Sequence, residues 1–384
     1  MKYLRSIFLP KMKNRWFLML MLFCFTITAS ASSQSEAGDV LEQKESEGGV
    51  NLKEILFGHI QDSYQWHVTD IGGHPLIIPL PMMFYSSHSG FHVYCSSQFE
   101  HEPNAELLRE GPDGFYIQGA ADEKGKIVER IGNELKPVSF DISITKTVMV
   151  LFIDSILLVL CILIAARWCK KHKVDDPAPK GFVGFVHMFV MTVYNDMIKQ
   201  TLGKEADKYA PYLLTCFFFI FIVNLMGVVP FPPGGGNLTG NITCTFFLAL
   251  CTFLIVNLTG TKAYWKEIFW GDVPWWLKVP VPLMPFIEFF GIFTKPVALM
   301  IRLFANMLAG HVIAISLSCI IFIMFALGGT LGKVLGISMT PVSVFLSVFM
   351  MLLEVLVCYI QAMVFTMLSA VFISMSHVKE HHAA

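Results

Sequence analysis

The stretch KPVALMIRLFANMLAGH, running from Lys295 to His311, places a guanidinium inside an apolar run, and the whole chain is read from that fact. Arg302 stands among Ala298, Leu299, Met300, Ile301, Leu303 and Phe304, near the middle of an apolar span from 281 to 327. Placing Arg at the centre of a membrane helix costs about 2.5 to 3.5 kcal/mol on insertion scales, so a chain that keeps it there has a use for it. An Arg near a span end escapes the cost by reaching the headgroups, but neither end is close to Arg302. Its guanidinium holds its proton at any accessible pH. Arg302 is therefore a fixed cation: it can attract a carboxylate and stop a proton, and it cannot carry one.

The rest of the chain suits that setting. Apolar residues make up 54% and charged residues only 15%, which describes a polytopic membrane protein. A net charge of -1 offers no basic field for a phosphate backbone, so nucleic acid is set aside as a partner. Apolar spans at 147–166, 209–229, 242–260, 281–327 and 341–376 predict five transmembrane helices in an all-α membrane domain covering 141–384. Gly181 to Ile198 is apolar but ends in polar residues, which predicts an amphipathic helix lying on the membrane surface. As helices the last two spans would measure about 70 and 54 Å against a hydrocarbon layer of about 30 Å, so they tilt steeply or bend. Pro282, Pro285 and Pro296 supply places to bend.

Ahead of the membrane domain, Lys2, Arg5, Lys11, Lys13 and Arg15 precede an apolar run from Trp16 to Ile27 and a small-residue site at Ala29-Ser30-Ala31, the pattern of a signal peptide over 1–31. Residues 32–140 then form an exported region of unknown role, whose alternating, Pro-punctuated sequence from Trp66 to Met83 predicts short strands. His88 and His92 would share one side of a helix and invite a metal, but the local Gly and Pro density argues against a helix and for solvated surface histidines, with no metal. The nine Cys lie mostly inside apolar runs and imply no disulfide framework. With the N-terminal region outside, the loop at 167–208 lies inside with eight basic residues, that at 261–278 with three, and the C-terminal tail adds Lys379, whereas the outer loops at 230–240 and 328–340 hold only Lys333. That asymmetry follows the positive-inside rule.

Four further polar residues, Asn306, His311, Glu354 and Gln361, stand in the two spans around Arg302. In an antiparallel pair, residues at equal depth have numbers with a constant sum, and Arg302 with Gln361 gives 663 while His311 with Glu354 gives 665. The two pairs thus lie at matched depths to within about 3 Å. Asn306 falls within about 40° of Arg302 around the helix and His311 roughly 180° away. Arg302 is expected to face a partner, and His311 with Glu354 to line a wet crevice behind it. Those two lie on the outer side of Arg302, and Glu288 lies about 21 Å toward the inside, so proton-exchanging groups flank the fixed cation on both sides. Lys295 and Glu288 read equally well as interfacial anchors, and Asp154, in the middle of the first span, as a functional carboxylate or one that hydrogen-bonds another subunit.

From Lys295 through Pro296, Arg302, Asn306, Gly310 and His311 the sequence closely resembles the signature helix of F-type ATP synthase subunit a. Asn224-Leu-Met-Gly-Val-Val-Pro230, the Asn241-Ile-Thr start of the next span, and Glu354 through Gln361-Ala-Met-Val-Phe extend the resemblance over about 180–376. It implies a proton-translocating stator in which Arg302 faces the carboxylates of a rotating ring of subunit c, Asn306 and Gln361 sit beside it, and Glu288 lies near an inner half-channel. It implies as further partners the subunit b peripheral stalk and the rest of the synthase, in a bacterial inner membrane with a cytoplasmic C-terminus. Several members carry a carboxylate where this chain has His311 and a His where it has Glu354, so the pair is exchanged here. Gly291 and Ala298 replace serines of other members, which leaves Thr294 as the remaining hydroxyl on that side. The chain has no Gly-rich phosphate loop ending in Lys-Ser or Lys-Thr, and neither catalysis nor a cofactor is expected of it. An ion-coupled secondary transporter is the competing class, but its paired repeats with broken helices are not found across the five spans.

Overall fold

The structure, a computed structural model, describes residues 62–71, 74–100, 108–118, 125–131, 134–172, 179–229, 236, 238–270, 283–326 and 329–377. The segment 1–31, expected to be a signal peptide, and the polar stretch after it lie outside the described residues.

The expected short strands are present. β1 (Gln65–Ile71) and β2 (His74–Pro79) pair as one antiparallel ribbon. β3 (Pro81–Ser86), β4 (Gly90–Cys95) and, further on in the chain, β9 (Phe140–Asp141) form a sheet in the order β4-β3-β9. β5 (Leu108–Glu110), β6 (Phe115–Gln118), β7 (Lys126–Ile131) and β8 (Glu134–Pro137) form a four-stranded meander. Tyr64, Met82, Phe84, Phe99, Phe115, Ile117 and Ile127 close the core of this part, with alternate residues of β3 turned inward as a half-buried strand requires. His88 sits in the turn between β3 and β4, while His92 lies in β4, where its ring stacks on Tyr94.

After β9 the chain passes straight into the first membrane helix, α1 (Lys146–Lys171). Thr145, at the cap position just before it, makes no capping bond of its own. Asp62 does so from a distance, its Oδ1 accepting from the Thr147 amide at 2.9 Å and the Thr147 hydroxyl at 2.8 Å. α2 (Gly181–Thr192) runs on through a π-helical segment, Val193–Ile198, and a last turn, Lys199–Leu202. Gly203, at φ +55, breaks it from α3 (Ala206–Val228). α4 (Ile242–Thr259) is capped by Asn241, whose side chain accepts from the Thr243 amide at 3.0 Å. The short α5 (Lys262–Trp270) leads to the two long helices, α6 (Leu283–Ala326) and α7 (Gly329–Ser376).

Among the described residues, five helical stretches, 146–171, 181–228, 242–259, 286–321 and 336–376, are long and apolar enough to cross a membrane. α3 is the hub of the bundle: Leu213, Phe217, Ile220 and Val223 are buried against Val193 and Ile198 of the π segment and Ala362, Phe365, Ala370 and Ile373 of α7. Helices dominate because hydrocarbon offers no partner to a backbone N–H or C=O, so each segment must satisfy its own.

One expectation is corrected. The outer loop placed at 328–340 is helical from Gly329 on, which makes α7 48 residues long, with Pro341 inside it. A membrane helix tolerates the Gly, Ser, Thr and Pro that signal a loop in water. Within the stretch 181–198, Val186 and Val190 are buried while Phe182, Phe185 and Met188 are exposed, and the polar Asn195 and Asp196 follow in the π-helical segment.

Candidate functional site

α6 and α7 pack against one another along most of their lengths, and the polar residues of the two helices meet in register. His311 Nδ1 lies 3.1 Å from Glu354 Oε1, with the two side chains 15% and 7% exposed, so the pair is shielded inside the bundle. Nearer the membrane edge the Ser343 hydroxyl donates to the Leu317 carbonyl, a second direct link in the same antiparallel register. Gly310 is where the helices close: a β-carbon there would sit 3.1 Å from Glu354 Oε1, tighter than ordinary contact, so its hydrogen leaves the carboxylate its place.

Arg302 points elsewhere. It is exposed, on a stripe with Ala298, Ile301, Ala305 and Ala309, and among the described residues it forms no hydrogen bond or ion pair. The side-chain phase anticipated from the nine-residue spacing thus holds: His311 turns into the bundle and Arg302 out of it. Asn306, one turn further along α6, and Gln361 of α7 are half-buried. Small residues flanking an exposed cation let a neighbouring helix approach closely while the charge finds a counter-ion there.

Toward the other end of α6, Glu288 is half-buried close enough to Tyr264 of α5 that burial first, and this carboxylate second, raise the phenol above its ordinary pKa. Lys295 holds its ammonium 5.8 Å from the centre of the Phe372 ring and lines a pocket with Thr252, Asn257, Tyr264 and Ile292. The Thr294 hydroxyl bonds back to the Gly291 carbonyl at 3.2 Å and is exposed.

The remaining expected residues lie toward the opposite end. Asn224 of α3 is fully buried, its Oδ1 accepting from the Thr239 hydroxyl at 2.7 Å, and Asn241 is spent on the α4 cap. Asp154 is 1% exposed on α1. Spacing in the sequence gave no signal for two neighbours that shape this region, Thr239 and Gly227. A β-carbon at Gly227 would lie 4.0 Å from His311 Cε1 and 3.9 Å from Met307 Cε, contacts that exist only once α3 meets α6.

With this geometry in place, comparison with known proteins gives a consistent result. A family described as ATP synthase A chain matches residues 148–374, and a second, described as a domain of unknown function, matches residues 55–145, the strand-forming part. The chain is 41% identical over 253 residues to ATP synthase subunit a of Chlorobium phaeobacteroides, covering 64% of this chain and 68% of that one. It is 38% identical over 248 residues to ATP synthase subunit a of Myxococcus xanthus, covering 63% of this chain and 75% of the relative.

Proposed function

Because this chain belongs to the ATP synthase A chain family, we propose that it is the non-catalytic stator of an F-type ATP synthase membrane sector, presenting two offset half-channels to a rotating ring of subunit c. The observation that carries the reading is the exposed Arg302 on an apolar face with Ala298, Ala305 and Ala309, with the buried His311–Glu354 pair behind it. A proton enters from outside through that pair and neutralises a ring carboxylate, which can then move through lipid. After nearly a full turn the carboxylate meets Arg302, whose charge favours its ionised form and so releases the proton. Asn306 and Gln361 flank this exchange, and the exit runs inward past Lys295, Thr294 and Glu288. Each charge moved across the membrane is worth about 2.3 kcal/mol per 100 mV, which rotation passes to the nucleotide-bearing headpiece. Subunit b, as the peripheral stalk, holds this chain still against the torque. The bacterial inner membrane, with the strand-forming region outside, is the setting this reading requires.

The test is proton pumping in vesicles from cells carrying only Arg302→Ala, with assembly followed by the amount of bound headpiece. Pumping is expected to be abolished in a complex that still assembles. Arg302→Lys should also fail substantially, because an ammonium can shed its proton in an apolar site and lacks the planar fork of donors. Near-normal coupled pumping by Arg302→Ala overturns the reading.

A further inference from the structure

The three-stranded sheet of β4, β3 and β9 has two apolar faces, and the core uses only one of them. Met82 and Phe84 of β3 turn inward and are buried. The alternate residues turn outward, because successive side chains of a strand point to opposite faces. Register sets them in two rows: Tyr85 lies opposite Phe91 on one side and Phe140 on the other, and Met83 lies opposite Val93, with the Ile142 amide donating to the Met83 carbonyl. Side chains directly opposite on one face stand about 5 Å apart, so the rows form one patch. Phe91 and Phe140 are each 60% exposed, and Tyr85, Val93 and Ile142 are exposed with them. Pro81 and Cys95, the remaining outward pair, complete a face on which none of the described residues is charged. A contiguous apolar patch on a folded surface marks an interaction site.

Two features point to lipid as what covers it. The first is the way the sheet joins the membrane domain. Pairing with β3 continues past β9, the Ile144 amide donating to the Pro81 carbonyl at 3.1 Å, and α1 begins two residues later at Lys146. Asp62 Oδ1 and the Ser63 carbonyl, from the segment before β1, accept from the amides of Thr147 and Lys146. The sheet is thus seated on the start of a membrane helix, with no linker on which to swing clear. Its two rows stand only about 7 and 13 Å along the strands from Ile144. The same chain then continues into α1, whose exposed side, with Phe152, Ile156, Val159 and Leu160, is apolar. The second feature is where the charge lies. The four-stranded sheet packs across the same core through Phe115, Ile117 and Ile127, and it exposes Lys126, Arg130, Glu134 and Lys136. A body with charge on one sheet and an uncharged aromatic face on the other, beside a membrane helix, has the make-up of an element lying in the membrane interface.

We propose that the strand-forming region lies on the lipid surface of the leaflet in which α1 begins, with β3 and β4 parallel to the membrane and Tyr85, Phe91, Val93 and Phe140 set into the boundary between headgroups and acyl chains. The two rows differ by about 7 Å along the strands, so only this posture brings both to one depth. Seated so, the region fixes the height of α1 in the bilayer through the Asp62 and Ser63 bonds. The proposal needs α1 to cross a membrane and stands independently of the stator reading.

The experiment places a nitroxide on a single cysteine, Val93→Cys, Phe91→Cys or Lys126→Cys, in the full chain freed of its native cysteines and assembled in its complex in vesicles of phosphatidylethanolamine and phosphatidylglycerol. Oxygen concentrates in hydrocarbon and a nickel chelate stays in water, so the ratio of their collision rates with the label reports immersion. The ratios at Val93→Cys and Phe91→Cys should be alike and severalfold above that at Lys126→Cys. A label open to nickel at both patch positions means a face in water, and one shielded from both reagents means a face against protein; either result overturns the proposal. A high ratio at Val93→Cys beside a low one at Phe91→Cys means that the sheet stands upright, and overturns it too. All three side chains are exposed, so the label displaces no packing. Should a patch variant not assemble, Ile142→Cys replaces Val93→Cys and Phe140→Cys replaces Phe91→Cys, each in the same row and read in the same way.

Discussion

At the scale of single residues, the contact between His311 and Glu354 is the part of the site whose logic is most open to test. An imidazole and a carboxylate 3.1 Å apart exchange a proton with little motion, and either can hold it while the other resets. What matters is then one acid and one imidazole at this depth, and not which helix carries which. Removing either should slow proton entry, and His311→Glu combined with Glu354→His should recover more transport than either single change. Pumping rates of the three variants in vesicles check this, and a double variant no better than the worse single would show that the two do not act as a pair. The matched depth of these residues was legible from number sums alone, because rise per residue is constant along a helix. The closeness of Gly310 to the carboxylate was not, since it depends on how nearly the two axes approach.

At the scale of elements, α1 shows a helix start finished by a residue far away in sequence. Asp62 accepts both Thr147 bonds, and Lys146 donates its amide to the Ser63 carbonyl, so the strand-forming region and the membrane domain are tied at this point. Asp62→Ala should weaken the start of α1 by about 1 kcal/mol, and Asp62→Asn by less, since an amide oxygen still accepts. Faster amide hydrogen exchange over the first turn of α1 in Asp62→Ala is the expected readout, and unchanged exchange would mean that the cap contributes nothing. Elements are also where the sequence reading failed. Gly329 to Thr340 carries residues that punctuate chains in water, yet it is helical, because in lipid an unpaired backbone group costs more than poor helix propensity does.

At the scale of the whole molecule, the orientation expected from basic residues places His92 outside and Lys379 inside. Single cysteines at these positions should therefore react with an impermeant thiol reagent in right-side-out and inverted vesicles respectively, and an outer C-terminus would overturn the five-span arrangement. The sequence by itself determined the membrane setting, the number of spans, the presence of strands before them and the singular standing of Arg302. Each of these follows from composition, periodicity or the cost of one charge, all of which are local. Only the tertiary structure decided which polar residues meet. Helical phase turned Arg302 outward, but it took the packing of α3 against α6 to bring Gly227 to His311, and the return of the chain toward α4 to seat Thr239 on Asn224. Residues separated by tens of positions become neighbours through interhelical contacts that no local spacing encodes.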